Sequence, residues 1–355
     1  MEEYMLMKGN EAIAEAAIRA GTDGYFGYPI TPQSEVMEYL TLAKPHERTG
    51  MVVLQAESEV ASINMLYGGA AAGKKVMTSS SSPGISLMQE GISYIAGAEL
   101  PCLVVNVVRG GPGLGTIQPS QSDYFQATKG GGHGDYRLIT LAPSSVQEMA
   151  DFVEDAFDLA FKYRNPVMIL TDGAIGQMME KVKFKPQKNR DDTAPDWATV
   201  GKPADRKPNI ITSLDLDPAR HERHNIKLQK KYRVIEQNEI RFETIDCEDA
   251  EYLFVAYGTS SRICLKSMQL ARQEGIKVGL LRPITLWPFP YETVQSYTQQ
   301  VKGMLSVEMS SGQMVEDVKL AVSGQVKVDH YGRMGGIIPT PEEIVSALKE
   351  KIIGG

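Results

Sequence analysis

The chain has 355 residues, 42% of them hydrophobic and 23% charged, with a formal net charge of −7 and a pI near 5.4. That mix suits an ordinary globular protein of two domains, and its acidity argues against nucleic acid as the main partner. No run of 18 apolar residues marks a transmembrane helix. The three cysteines, Cys102, Cys247 and Cys264, lie far apart without CxxC spacing. They read as buried free thiols and leave no ordinary four-cysteine iron–sulfur cluster on this chain.

The opening "MEEYMLMKGNEAIAEAAIRAG" carries acids where a secretory signal needs positive charge, so a cytoplasmic chain is expected. Over 8–21, Ile13, Ala16, Ala17 and Ala20 recur at helical spacing and Gly21 closes the run. Short apolar runs at 24–27, 51–56, 74–79, 102–108 and 166–172 predict strands. The stretches 33–42, 57–72, 84–97 and 144–163 predict helices between them. This alternation argues for a parallel sheet covered on both faces. The helix at 57–72 is nearly uncharged and is expected to be buried.

Residues 181–245 differ, being rich in Lys, Arg, Asp and Pro. "DPARHERHNIKLQKKYRVIEQNEIRF" reads as an exposed helical arm, either solvated or in contact with another subunit. From about 250 the α/β pattern resumes: "EYLFVAYG", "SSRICLKSMQLARQEG" and "KVGLLRPI" form one strand–helix–strand unit. "GMLSVEMS" and "GQMVEDVKLAV" add a strand and a helix. The tail "TPEEIVSALKEKII" is a helix with Thr340 as N-cap and Pro341 in its first turn. The fold class is therefore α/β, with domains at 1–185 and 247–355 joined by a basic, polar arm at 186–246.

Ligands of open parallel sheets bind beyond the carboxyl ends of the strands. Four consecutive strands place their unusual residues there. Tyr28-Pro29-Ile30-Thr31-Pro32 follows the first, Glu57 and Glu59 the second, "SSSSPG" at 79–84 the third, and Arg109 with "GGPGLG" the fourth. Each has a plainer reading. Thr31 is a site residue or a helix cap. The acids at 57 and 59 are helix-opening residues favoured by the macrodipole, or catalytic groups. An acid entering an apolar helix needs a partner, which tilts one of them towards function. The serines are helix caps or an anion-binding turn. An arginine at a buried strand end suits a carboxylate or phosphate, which its planar fork binds with two parallel hydrogen bonds.

The 109–136 stretch is long for a connection and reads as a lid or binding loop. Its glycines do not match the dinucleotide fingerprint, because "GPGLGT" leads into more loop. His133 within it is a loop residue or a general acid–base. The chain has no GxxxxGK[ST], HExxH or GxSxG motif. Its five histidines make no convincing metal ligand set; His221 and His224, three apart, are only a weak pair.

Taken together, "GYFGYPITPQSE", "QAESEVASINMLYGGAAAGKKVMTSSSSPGISLMQEG" and "NVVRGGPGLGT" resemble the alpha-type subunit of the 2-oxoacid:ferredoxin oxidoreductases. "VAYGTSSR", "LRPITLWPFP" and "SVEMSSGQM" extend the resemblance over nearly the whole chain. The 109–137 stretch is most similar to the branched-chain (2-oxoisovalerate) member, and the 2-oxoglutarate member is the nearest competitor. A non-oxidative thiamine enzyme half is a third alternative.

The resemblance implies a thiamine pyrimidine-binding domain followed by a smaller transketolase C-terminal-like domain. The cofactor would be thiamine diphosphate, with Tyr28, Pro29, Ile30 and Glu59 beside it. Glu59, or failing it Glu57, would hydrogen-bond the aminopyrimidine ring. Thr31 and Arg109 would hold the 2-oxoacid. The implied reaction is CoA-dependent oxidative decarboxylation to acyl-CoA, CO2 and reduced ferredoxin. An Asp and Asn after a GDG-like turn would be needed for Mg2+; "TDGAIG" at 171–176 lacks the asparagine. The chain is thus expected to be half an active site. A beta-type subunit would supply the diphosphate and Mg2+ site. Gamma-type and ferredoxin-like delta subunits would complete the complex, with the iron–sulfur clusters on partner subunits only.

Overall fold

The computed structural model describes residues 4–190, 193–202 and 204–354. Strand β1 (Tyr4–Lys8) leads into α1 (Gly9–Arg19), which is followed by β2 (Gly24–Gly27), α2 (Ser34–Ala43) and α3 (Pro45–Thr49). Next come β3 (Val52–Gln55), α4 (Glu59–Ala71), β4 (Val76–Ser80), α5 (Ser82–Gly97) and β5 (Cys102–Val108). After a long loop interrupted by α6 (Tyr124–Thr128), the chain forms β6 (Ile139–Leu141), α7 (Val146–Tyr163), β7 (Pro166–Asp172), α8 (Gly173–Gln177) and β8 (Met179–Lys183). The expected strands at 24–27, 102–108 and 166–172 match in their bounds. Each of these is a run of apolar residues closed by glycine, arginine or aspartate.

The seven-stranded sheet has the order β12-β6-β7-β5-β4-β2-β3, where β12 is Thr285–Trp287. All its pairs are parallel except β12 with β6. Central β5 is buried along its whole length. Its sequence, CLVVNVV, is a nearly continuous apolar run, as a strand covered on both faces requires. Each buried valine or leucine there contributes about 1.5–3 kcal/mol. Helix α1 packs on α2 and α7, and α4 packs on α5. Outside this sheet, β1 and β8 form a two-stranded antiparallel ribbon, which the short mixed sequences YMLMK and MEKVK did not announce.

Helix α4 departs from expectation. Ser62, Ile63 and Leu66 are buried, but Val60, Asn64 and Gly68 are exposed. It is uncharged along two faces, and this chain covers only one of them.

Helix α9 (Pro218–Asn238) is the expected arm, and it is seated on the first sheet rather than free. Leu228, Tyr232 and Ile235 are its buried face. Tyr232 meets the Trp287 ring edge-on at 5.8 Å. His224 Nε2 lies 2.7 Å from Gly97 O, and Gln229 Nε2 donates to Asp135 O at 2.7 Å. Lys231 donates to Arg164 O at 3.0 Å; burial pushes its ammonium pKa down to about 8, partly offset by Glu99.

The second sheet has the order β14-β13-β10-β11-β9, built from β9 (Phe242–Ile245), β10 (Tyr252–Ala256), β11 (Val278–Pro283), β13 (Gly303–Glu308) and β14 (Lys327–Gly332). The helices α10 (Gly258–Gln273), α11 (Tyr291–Ser296), α12 (Met314–Val322) and α13 (Pro341–Leu348) flank it. As expected, β10, α10 and β11 form a parallel strand–helix–strand unit. Thr340 caps α13 by accepting from Glu343 N at 3.3 Å, with Glu343 completing a capping box. The three-residue β12 crosses back from this region and closes the edge of the first sheet.

Arginine–glutamate pairing holds the segment that follows β2. Glu15 on α1 is buried and accepts two parallel bonds from Arg48 at 2.8 Å each, one from Arg19 Nε at 2.6 Å and one from Tyr39 OH at 3.1 Å. Burial pushes the carboxyl pKa up, but the bonds from Arg48 and Arg19 outweigh it and leave it below its ordinary value of 4.5. A depressed carboxyl pKa adds stability above the ordinary value and loses it as pH falls through the folded-state value. Arg48→Met should therefore destabilise the fold by about 2 kcal/mol at pH 7. In urea unfolding the difference from the unaltered protein should shrink below pH 4.5.

Candidate functional site

Because β3, β2, β4, β5 and β7 run parallel, their carboxyl ends Gln55, Gly27, Ser80, Val108 and Asp172 lie on one rim. The four loops singled out from the sequence leave four of these strands, all of them neighbours in the sheet.

The 28–33 loop is held from beneath by residues the sequence did not mark. Gln33 is buried; its Nε2 donates to Tyr28 O at 3.1 Å, and its Oε1 accepts from Ser79 Oγ at 2.6 Å. Ser79 in turn meets the Tyr25 hydroxyl at 2.8 Å. Asn10 Nδ2 donates to Pro32 O at 2.7 Å. Gln33 is also the N-cap of α2, so Thr31 is not the cap of that helix. Thr31 is exposed at the apex of the loop with Pro29, while Tyr28 and Ile30 are half-buried.

Glu59 is the first residue of α4. Ser58 precedes it with extended backbone and accepts from Ala61 N at 3.2 Å, which starts the helix at this point. The Glu59 side chain is only 6% exposed. Among the described residues its carboxylate takes part in no hydrogen bond or ion pair. It lies against Gly84 near the start of α5: a Cβ on Gly84 would stand 2.6 Å from Glu59 Oε1 and 2.1 Å from Ser80 Oγ. Only glycine leaves room for the carboxylate there. Glu57, the other sequence candidate, is exposed and accepts from Ser58 Oγ at 2.7 Å. Of the two acids, only Glu59 is buried.

The four serines at 79–82 divide their tasks. Ser79 supports Gln33. The Ser80 and Ser81 hydroxyls are buried without a partner, and Ser81, though the N-cap of α5, makes no side-chain cap bond. Ser82 Oγ brackets the Arg109 backbone, accepting from its N at 3.1 Å and donating to its O at 3.2 Å.

Arg109 is 9% exposed. Its NH1 donates to Thr31 O at 2.9 Å and its NH2 to Leu114 O at 3.1 Å, while Nε is buried without a partner. The guanidinium thus joins the 28–33 loop to the loop after β5. Sequence reasoning assigned Arg109 a carboxylate or phosphate, but here two backbone carbonyls meet the fork. One hydrogen on each terminal nitrogen and the Nε hydrogen are not used by these bonds.

The long loop after β5 docks on the second sheet. Gln121 is buried: its Nε2 donates to Tyr257 O at 2.8 Å, and its Oε1 accepts from Ser260 Oγ at 2.6 Å and Met309 N at 2.9 Å. Buried Asp317 accepts from Tyr124 OH at 2.6 Å and from Tyr291 and Lys129. A groove of about 520 Å3 opens between the sheets, lined by Ser82, Gly111, Asp123, Ser310, Gln313 and Met334. Burial pushes the Asp123 pKa up, and bonds from Ser82 and Asn106 pull it partly back. His133 stands apart from this site, its ring edge-on to Tyr94 at 5.9 Å.

Thiamine diphosphate can be tested against these residues. Beside Gly84 stand a largely buried carboxylate and an orphaned hydroxyl, which suit the hydrogen-bonding edge of a pyrimidine. Asp172, in "TDGAIG", is buried and already engaged, capping α8 at 2.9 Å from Ala174 N and accepting from Thr259 at 2.8 Å. Among the described residues, no group of three or more His, Cys, Asp or Glu is arranged to hold a metal ion. The three cysteines are buried, and burial pushes each thiol pKa up. The chain therefore fits the pyrimidine end of the cofactor.

Residues 15–245 match the thiamine diphosphate-binding family model of pyruvate flavodoxin/ferredoxin oxidoreductases, and 250–344 match core domain II of pyruvate:ferredoxin oxidoreductase. The ketoisovalerate oxidoreductase subunit VorB of Methanothermobacter marburgensis is 52% identical over 97% of both chains. The 2-oxoglutarate synthase subunit KorA of Methanothermobacter thermautotrophicus is 36% identical over 98% of both. Among solved structures, the 2-oxoglutarate:ferredoxin oxidoreductase of Magnetococcus marinus superposes with a TM-score of 0.84 at 30% identity, covering 99% of this chain and 66% of that one. A split-gene transketolase superposes with a TM-score of 0.61 at 13% identity, covering 98% of both chains and sharing the fold alone. With two family models covering most of its length and relatives matched over 97% of both chains, the chain belongs to the 2-oxoacid:ferredoxin oxidoreductases as an alpha-type subunit.

Proposed function

We propose that this subunit works in the CoA-dependent oxidative decarboxylation of branched-chain 2-oxoacids, giving acyl-CoA, CO2 and reduced ferredoxin. The observation that carries the reading is Glu59: a carboxylate sequestered over Gly84, without a protein partner among the described residues, on the same rim as Thr31 and Arg109. The higher identity to the ketoisovalerate subunits than to the 2-oxoglutarate subunits, 52% against 36%, favours the branched-chain substrate.

Bound thiamine diphosphate would supply the electron sink for loss of the carboxylate. This chain's residues would hold its pyrimidine edge: Glu59 would accept from a ring nitrogen, with Tyr28, Pro29 and Ile30 beside it. A dry setting matters, because a carboxylate acts most strongly on a neighbour where water does not screen it. Arg109 would turn its remaining hydrogens to the 2-oxoacid carboxylate, and Thr31, whose carbonyl Arg109 already holds, would steady the substrate's other side. Fixing the reactants this way can lower a barrier by roughly 7–11 kcal/mol at best.

The diphosphate and Mg2+ belong, in this reading, to a beta-type subunit. The iron–sulfur clusters lie on partner subunits, with gamma-type and ferredoxin-like delta subunits completing a cytoplasmic complex. No described helix is long and apolar enough to cross a membrane.

In the assembled complex, Glu59→Gln should lower turnover by about 10²–10⁴-fold with assembly intact. Glu57→Gln should stay within about twofold of the unaltered enzyme, as an exposed substitution does. Equal effects at the two positions would remove Glu59 from the reaction. Arg109→Ala should raise the KM for the 2-oxoacid by about tenfold or more, the loss of charge-assisted hydrogen bonds. Calorimetric titration with thiamine diphosphate should show its affinity little changed. The reverse pattern would assign Arg109 to the cofactor instead.

A further inference from the structure

The sequence run at 79–82 contains two serines, Ser80 and Ser81, whose buried hydroxyls neither strand pairing nor capping satisfies among the described residues, and one of them faces Glu59. Ser80 is the last residue of β4 and fully buried, yet its Oγ has no hydrogen-bond partner. A buried hydroxyl without a partner is unfavourable, so such groups are rare unless a ligand or a moving neighbour completes them. Its surroundings say where that completion lies. A Cβ on Gly84 would stand 2.1 Å from Ser80 Oγ, 2.6 Å from Glu59 Oε1 and 3.0 Å from Glu59 Cγ. The hydroxyl and the carboxylate therefore converge on one spot, the bare face of Gly84.

We propose that Ser80 is a positioning residue: its hydroxyl donates to Glu59 when the cofactor's pyrimidine ring is seated, fixing which carboxylate oxygen meets the ring, with Gly84 keeping the space both side chains need. This rests on the assignment of Glu59 to the pyrimidine ring. The neighbouring serines do not compete for the role. Ser79 is committed to Gln33 and Tyr25, and Ser82 to the Arg109 backbone; Ser81 also lacks a partner among the described residues, but the atoms nearest the bare face of Gly84 belong to Ser80 and Glu59. Ser80 acts through Glu59, so its contribution disappears when Glu59 cannot use it.

The test is a double-mutant cycle on the assembled complex, stripped of thiamine diphosphate and titrated calorimetrically with thiamine diphosphate and Mg2+. Ser80→Ala should weaken binding by about tenfold, the effect of one hydrogen bond to a charged group. Glu59→Gln should weaken it as well, and the double variant should bind no more weakly than Glu59→Gln alone. Ser80→Ala should leave the 2-oxoacid KM unchanged. Its Tm should be unchanged or higher, because the substitution removes an unpaired buried hydroxyl. Gly84→Ala should weaken binding more than Ser80→Ala, since its methyl displaces both groups.

Ser80→Ala binding like the unaltered protein, effects that multiply in the double variant, or a fall in Tm would each overturn the proposal. If Glu59→Gln itself binds normally, the assignment of Glu59 fails, and the role of Ser80 with it. If Glu59→Gln weakens binding and Ser80→Ala does not, only the role of Ser80 fails.

Discussion

Taking a carboxylate out of water is unfavourable unless something meets it, and this structure largely buries Glu59 where none of the described residues does. Much of the first domain serves that placement. β3 ends at Gln55 and Ser58 starts α4, so the acid enters at the amino end of a 13-residue helix. There the helix dipole favours negative charge. Gly84 lets α5 approach from the other side. Among the described residues, a largely buried acid and two buried serine hydroxyls are left without protein partners at this end of the sheet.

Position matters as much as charge. Thr31 is exposed, but the loop behind it is tied to α1 through Asn10, to β4 through Gln33 and Ser79, and to β5 through Arg109. Three separate elements thus determine where one threonine stands. This is the arrangement a site needs when a shift of about an ångström can cost a hundredfold in rate. The salt bridges at Glu15 extend the same restraint to α3, beyond α2.

The two sheets share one buried apolar cluster, in which Leu253, Val255, Leu281 and Met304 join residues of the first sheet, and buried polar groups bond across the same junction. Gln121 alone bonds to Tyr257, Ser260 and Met309. Paired amides and hydroxyls specify one relative placement, because any slip strands several of them at once. The 109–136 loop is thereby a structural bridge as well as a wall of the site. Arg109 bonds to Thr31 at the rim, while Gln121, Tyr124 and Lys129 bond to the second domain.

Sequence alone determined the α/β class, most strand positions and the gathering of four unusual loops on one rim, because apolar runs and their polar ends are local signals. Thr340, Pro341 and Glu343 announced their helix for the same reason. Glu59, Thr31 and Arg109 were legible as unusual residues at strand ends, and resemblance suggested their roles. Tertiary structure showed that Glu59 is buried and Glu57 exposed, since two acids of one run differ only in which one a neighbouring helix covers. It also decided that α4 keeps an exposed uncharged face and that β12 returns to the first sheet. The 79–84 run was legible only as a whole, and the contacts of Asn10, Gln33 and Gln121 were likewise invisible in sequence. Each depends on contacts between residues distant in the chain, which composition and periodicity do not encode.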